Sequence, residues 1–199
     1  MRAVIATSLV AAALVAVAAS QSREVPPPTS FEQPFPSGGR VRLNLSAGDY
    51  VITGALSNRV RLDWSVRDPS QLWRVKTRVA VNGTDATIET DGPSNSSFHV
   101  EIRLPVKTDL DVRLTAGKIT VENINGNKVV DSYAGEVNLD IGRADDYRSV
   151  DASVWAGEIE APAFRANKGG LFRSLDWTGK GPYRLRASLW AGKLRLYSK

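Results

Sequence analysis

Cysteine is absent from the 199 residues, and histidine occurs once, as His99. The first absence excludes disulfides, thiolate metal ligands, a thiol nucleophile and a cysteine-linked lipid. The second argues against a histidine-rich zinc site and a Ser-His-Asp hydrolase, and no metal or cofactor is expected. Beyond residue 19 no apolar run is long enough to cross a bilayer as a helix. No later segment keeps a 3.6-residue apolar period either, so an all-β domain is expected. Long runs of one charge are also missing. The formal charge of +5 comes from 26 Lys and Arg against 21 Asp and Glu, spread along the chain. That spread speaks against a nucleic-acid partner.

What is present begins with an address. Met1-Arg2 is a short positive start, residues 3–19 are an almost uncharged alanine-rich run, and Ala16-x-Ala18 or Ala18-x-Ser20 offers small residues for cleavage. This reads as a secretory signal peptide over residues 1–20, with a retained anchor helix as the alternative. Cleavage would remove Arg2, lower the formal charge from +5 to +4, and leave no integral membrane span. Residues 21–39, with Pro26-Pro27-Pro28 at their centre, read as an extended tether. Residues 40–199 then form a single domain of ordinary globular composition, 42% hydrophobic and 24% charged over the whole chain.

The body alternates with period two. Val41, Leu43 and Leu45 form one apolar face, as do Val60, Leu62, Trp64 and Val66, then Val75, Thr77, Val79 and Val81, and then Phe98, Val100, Ile102 and Leu104. Asn82-Gly83 supplies the positive-φ turn of a hairpin between the third of these faces and residues 84–90.

A repeat overlies this pattern. Ser46-Ala47-Gly48-Asp49-Tyr50, Thr115-Ala116-Gly117-Lys118-Ile119, Tyr133-Ala134-Gly135-Glu136-Val137, Trp155-Ala156-Gly157-Glu158-Ile159 and Trp190-Ala191-Gly192-Lys193-Leu194 share the form x-Ala-Gly-charged-apolar. The last four glycines are 18, 22 and 35 residues apart, and the first two spacings fit one coil of a β-solenoid. The expected fold is therefore a β-solenoid or β-helix-like stack of short strands, with a β-sandwich or β-roll as the alternative. Gly48, Gly117, Gly135, Gly157 and Gly192 would be its corners. The long gap after Gly157 is either a coil without the motif or an insertion around residues 167–182. Parity points Val112, Leu114, Ile119 and Val121 inward, and turns Thr115, Tyr133, Trp155 and Trp190 outward.

Leu104-Pro105-Val106-Lys107-Thr108-Asp109-Leu110-Asp111-Val112, followed by Ala116-Gly117-Lys118-Ile119-Thr120-Val121 and the later copies, resembles the bacterial putative-adhesin family of unknown function. The resemblance covers roughly residues 40–197. It implies an exported, noncatalytic β-helical module of the periplasm, the cell surface or the medium. Its partner would be an envelope or surface protein or a glycan. The family supplies no catalytic residues to carry over.

The aromatic column Tyr133, Trp155 and Trp190 is the candidate ligand-binding feature. Flat rings suit sugars or an apolar patch on a protein, so a carbohydrate-binding module is the alternative function. Rings that only stack on each other, or lie under residues 167–182 with Phe172 and Trp177, are the competing structural reading. Lys118, Glu136, Glu158 and Lys193 form a second column of solvated charge. Glu136 and Glu158 could be close enough for glycosidase carboxylates, but nothing in the sequence supplies the pocket. Asp145-Asp146 reads as a solvated turn, with a Ca²⁺ loop as the alternative. His99 reads as an exposed strand residue.

Overall fold

The computed structural model describes residues 28–93 and 97–199. The expected signal peptide and residues 21–27 of the expected tether lie outside the described residues. Among the described residues twelve strands form one continuous sheet, and the all-β expectation holds. In chain order they are β1 (Ser30–Pro34), β2 (Gly39–Leu45), β3 (Gly48–Ala55), β4 (Arg59–Ser65), β5 (Lys76–Asn82) and β6 (Asp85–Asp91). These are followed by β7 (His99–Pro105), β8 (Thr108–Glu122), β9 (Lys128–Asp140), β10 (Tyr147–Ala161), β11 (Ala166–Thr178) and β12 (Tyr183–Tyr197). Strand β1 lies inside the stretch read as tether, so ordered structure begins upstream of Arg40.

The long strands are bent, and the repeat is the reason. In β8 the buried apolar residues are Leu110, Val112 and Leu114, then Ile119 and Val121. Leu114 and Ile119 are five residues apart, so a straight strand would send them to opposite faces. The backbone therefore turns at Ala116-Gly117, where Gly117 has φ of 110°. Gly135, Gly192 and Gly157 turn β9, β12 and β10 in the same way, with φ of 122°, 133° and 143°. Each bent strand contributes to two half-sheets whose inner residues form a single core cluster. The connections of the earlier strands break at the corner instead, and β2 pairs with the first half of β8 while β3 pairs with the second.

The first half-sheet has the order β5-β6-β2-β8-β9-β12-β10-β11, and the second β1-β4-β7-β3-β8-β9-β12-β10-β11. The ladder from β6 to β10, through β2, β8, β9 and β12, is parallel, whereas β5 and β11 pair antiparallel at the two ends. The sheet is not closed, and β12 lies between β9 and β10, so the stack does not follow chain order as successive solenoid coils would. Two facing half-sheets fit the β-sandwich alternative. The 35-residue gap is filled by β11, a strand without the Ala-Gly motif, which sits outside β10 rather than between the last two motifs. The hairpin at Asn82-Gly83 forms as expected, with Gly83 at φ of 60°.

Candidate functional site

The site is built on the glycine column. Gly48, Gly117, Gly135, Gly192 and Gly157 are cross-strand partners in that order, and Gly170 of β11 continues the row beyond Gly157. A Cβ on Gly135 would fall on the carbonyl oxygen of Gly117, and one on Gly192 on that of Gly135. Close approach and positive φ both require glycine here. Gly48 is a corner by position but has no positive φ.

Two residues before Gly117, Gly135, Gly157 and Gly192 the side chain points to solvent, whereas Ser46, before Gly48, is half-buried and bonded to Tyr50 and Gly92. Tyr133 is 65% exposed, Trp190 47% and Trp155 40%. Because β12 separates β9 from β10, their spatial order is Tyr133, Trp190, Trp155. The Trp190 and Trp155 rings are parallel within 2°, with centroids 4.4 Å apart, and Tyr133 is parallel to Trp190 at 6.4 Å. The two indoles, 4.4 Å apart, can only lie face over face. Phe172 of β11, 72% exposed, meets Trp155 edge to face at 5.4 Å. The stacked reading and the cover by Phe172 therefore both hold. Trp177 is elsewhere and packs on Phe164 at 5.0 Å. Each indole has one face closed by the other, and the ring edges of the stack reach solvent.

A shallow groove runs beside the stack across the strands. Its second row is Arg113, Asp131, Ser188, Ser153 and Ser174, partners on successive strands, with the Ser153 and Ser188 hydroxyl oxygens 3.5 Å apart. The outer face of the first half-sheet thus offers aromatic edges, hydroxyls and charge on a rigid support.

On the other side of the corner the charges alternate in space: Asp49, Lys118, Glu136, Lys193, Glu158. Lys118 approaches Glu136 at 3.8 Å and Lys193 approaches Glu158 at 3.4 Å. Chain order would have set Glu136 beside Glu158 and like charges against each other. Insertion of β12 places Lys193 between them, so the two carboxylates are not neighbours and each faces a cation instead. Hydrogen bonds from Lys193 and from Arg195 hold the Glu160 carboxyl below its ordinary range.

The remaining candidates are ordinary. Asp145 and Asp146 lie in a 3₁₀ turn, with Arg143 2.8 Å from Asp146. His99 stands 3.4 Å from Asp49 and 3.9 Å from Glu101 at the surface. Among the described residues no group of three or more His, Asp or Glu is placed to hold a metal, and no helix is long and apolar enough to cross a membrane.

Sequence reasoning missed Lys128, which is 1% exposed. Its ammonium donates to the Ile124 carbonyl and the Tyr147 hydroxyl, each at 2.7 Å. Burial lowers its pKa to about 8, against the opposing pull of Asp140, Asp109 and Asp146. The available signal was parity, since residue 128 shares the inward parity of Val130.

The architecture is that of an all-β protein of two facing half-sheets sharing bent strands. No family model and no curated protein matches the sequence. Among solved structures, a putative cell adhesion protein from Clostridium sporogenes is similar in fold. The likeness has a TM-score of 0.55 at 16% identity and covers 87% of this chain and 100% of that one. A putative adhesin from Parabacteroides distasonis matches over 57% of this chain and 52% of its own at 14% identity, TM-score 0.25. A further putative adhesin, from Bacteroides fragilis, matches over 84% and 96% at 8% identity, TM-score 0.34. The fold likeness rests on the first of the three.

Proposed function

We propose that the chain is an exported bacterial envelope module that binds or scaffolds without turnover, in the manner its fold relative's name suggests for cell adhesion. The observation that carries this reading is the exposed, parallel Tyr133–Trp190–Trp155 stack, held on three strands that are each hydrogen-bonded on both edges. Exposed aromatic surface on a rigid support is what a contact surface needs, because little side-chain entropy is lost on binding. The alanine-rich leader over residues 1–20 supports export.

The partner favoured is a protein surface rather than a sugar ring. Sugars pack on open aromatic faces, and in this stack the two indoles close one face of each other while Phe172 packs on Trp155. Ring edges beside the serine row suit apolar side chains and backbone carbonyls of a protein. The test is retention of the purified chain on isolated bacterial envelopes, before and after protease treatment. The Trp155→Ala, Trp190→Ala double variant should fold with an unaltered far-UV spectrum and lose most retention, and protease should abolish retention of the native chain. Retention unaffected by both changes would refute the reading, and retention that resists protease but is competed by soluble glycans would return the site to carbohydrate.

A further inference from the structure

The two half-sheets do not contain the same number of strands. From β11 inward, eight positions are matched, with β5 opposite β4 and β6 opposite β7. The second half-sheet then has a ninth strand, β1, on the free side of β4, and the first has none on the free side of β5. Among the described residues β5 is hydrogen-bonded only to β6, so one of its edges has no strand partner there.

The side chains record the same gap. Along β6 and β2 the core-facing Ala86, Ile88, Val41 and Leu43 are buried. At the corresponding positions of β5, Thr77, Val79 and Val81 are only half-buried, although the two valines pack on the core. The Thr77 hydroxyl is enclosed and has no hydrogen-bond partner. On the outward face of the same strand, Lys76 and Arg78 are exposed, and Arg78 is 3.2 Å from Glu89 of β6.

The opposite end of the stack differs. There β11 places Arg173 opposite Val154 and Lys168 opposite Ile159, at core-facing register positions. The Lys168 ammonium is turned onto the Ser174 carbonyl at 2.8 Å. Inward-placed charge on an edge strand resists addition of another strand. Strand β5 has apolar residues where β11 has charge.

We propose that the free edge of β5 is a docking site for one extended segment of a partner protein, with small apolar side chains directed to the core and acidic ones outward. Main-chain pairing would supply affinity, and the alternation specificity. A single strand is the occupant the geometry favours. It would lie level with β1 and complete the ninth position, whereas a second copy continuing both half-sheets would meet β1. The acidic outward face complements Lys76 and Arg78. This site is independent of the aromatic stack.

The probe is a fluorescent synthetic peptide with the sequence of β6 (Asp85–Asp91), which already lies against β5 with Ala86 and Ile88 inward and Asp85, Glu89 and Asp91 outward. It is titrated into the purified chain by fluorescence polarisation, with a scrambled peptide as control. Saturable binding of the β6 peptide alone is expected, weakened at least tenfold by Val79→Lys, which gives β5 the inward charge that β11 has. Should Val79→Lys disturb folding, the exposed pair Lys76→Glu, Arg78→Glu replaces it. That variant should lose the β6 peptide and gain one in which the acids are replaced by lysines. Absence of binding, binding indifferent to the substitutions, or a native dimer that Val79→Lys dissociates would each overturn the proposal.

Discussion

Single residues decide whether the strands can bend. At Gly135 a methyl group would meet the Gly117 carbonyl, and φ of 122° is hostile to any other residue. We expect Gly135→Ala to cost about 3 kcal/mol or more in urea unfolding. Gly169→Ala, where a Cβ meets nothing within 4 Å, should stay within about 0.5 kcal/mol of the native chain. Lys128 acts at the same scale. Its folded pKa of about 8 lies below the ordinary 10.5, so between those values the unfolded chain binds the extra proton. Stability should therefore rise with pH above 8, by up to about 3 kcal/mol from this group if nothing opposed it. Burial raises the pKa of Tyr50, of Tyr147 and, to about 12, of Tyr197, so the unfolded chain ionises first and stability turns down above pH 10. Equilibrium unfolding at a series of pH values should show the rise in the native chain and none in Lys128→Met.

At the scale of the element, charge chooses a strand's neighbours. Strand β12 could have stacked outside β10, as chain order suggests, but its Lys193 is the cation that separates Glu136 from Glu158 and also meets Glu160. The pairs are partly exposed, so they select register more than they add stability. Lys193→Glu should lower the unfolding midpoint, and added salt should restore much of the loss, because repulsion between exposed carboxylates is screened. A variant insensitive to salt would show that packing alone places β12. The same neighbour choice brings Trp190 against both Tyr133 and Trp155, so the binding face and the charge column depend on one strand. Replacing Trp190 with alanine should therefore cost about 1–3 kcal/mol, more than Tyr133→Ala, since it removes two ring contacts instead of one.

At the scale of the whole molecule, the parallel strands in the middle have neighbours on both sides and a filled core, while among the described residues β1, β5 and β11 each have one free edge. Hydrogen exchange should accordingly be slowest in β8, β9 and β12 and fastest in those three strands. Uniform protection throughout would contradict this gradient. With one end carrying inward-placed charge and the other apolar, the stack has a direction, and partners that pair through main chain should be confined to the β5 end.

Alternation and repeat were legible from residues alone. Leu114 and Ile119 at odd separation around Ala116-Gly117 state that the strand must bend, and the outward position of Tyr133, Trp155 and Trp190 follows by counting. Strand β1 was hidden because Phe31 and Gln33 alternate too weakly among prolines, and Lys128 because lysine ordinarily marks an outward position. The order of the strands was not legible either. Periodicity is a property of consecutive residues, whereas neighbour choice compares residues such as Lys193 and Glu158 that are distant in the chain. Local sequence therefore determined the strands, their faces and their corners. Only the tertiary structure decided that β12 would enter between β9 and β10, setting the indoles face to face, because that choice balances charge and packing across the stack.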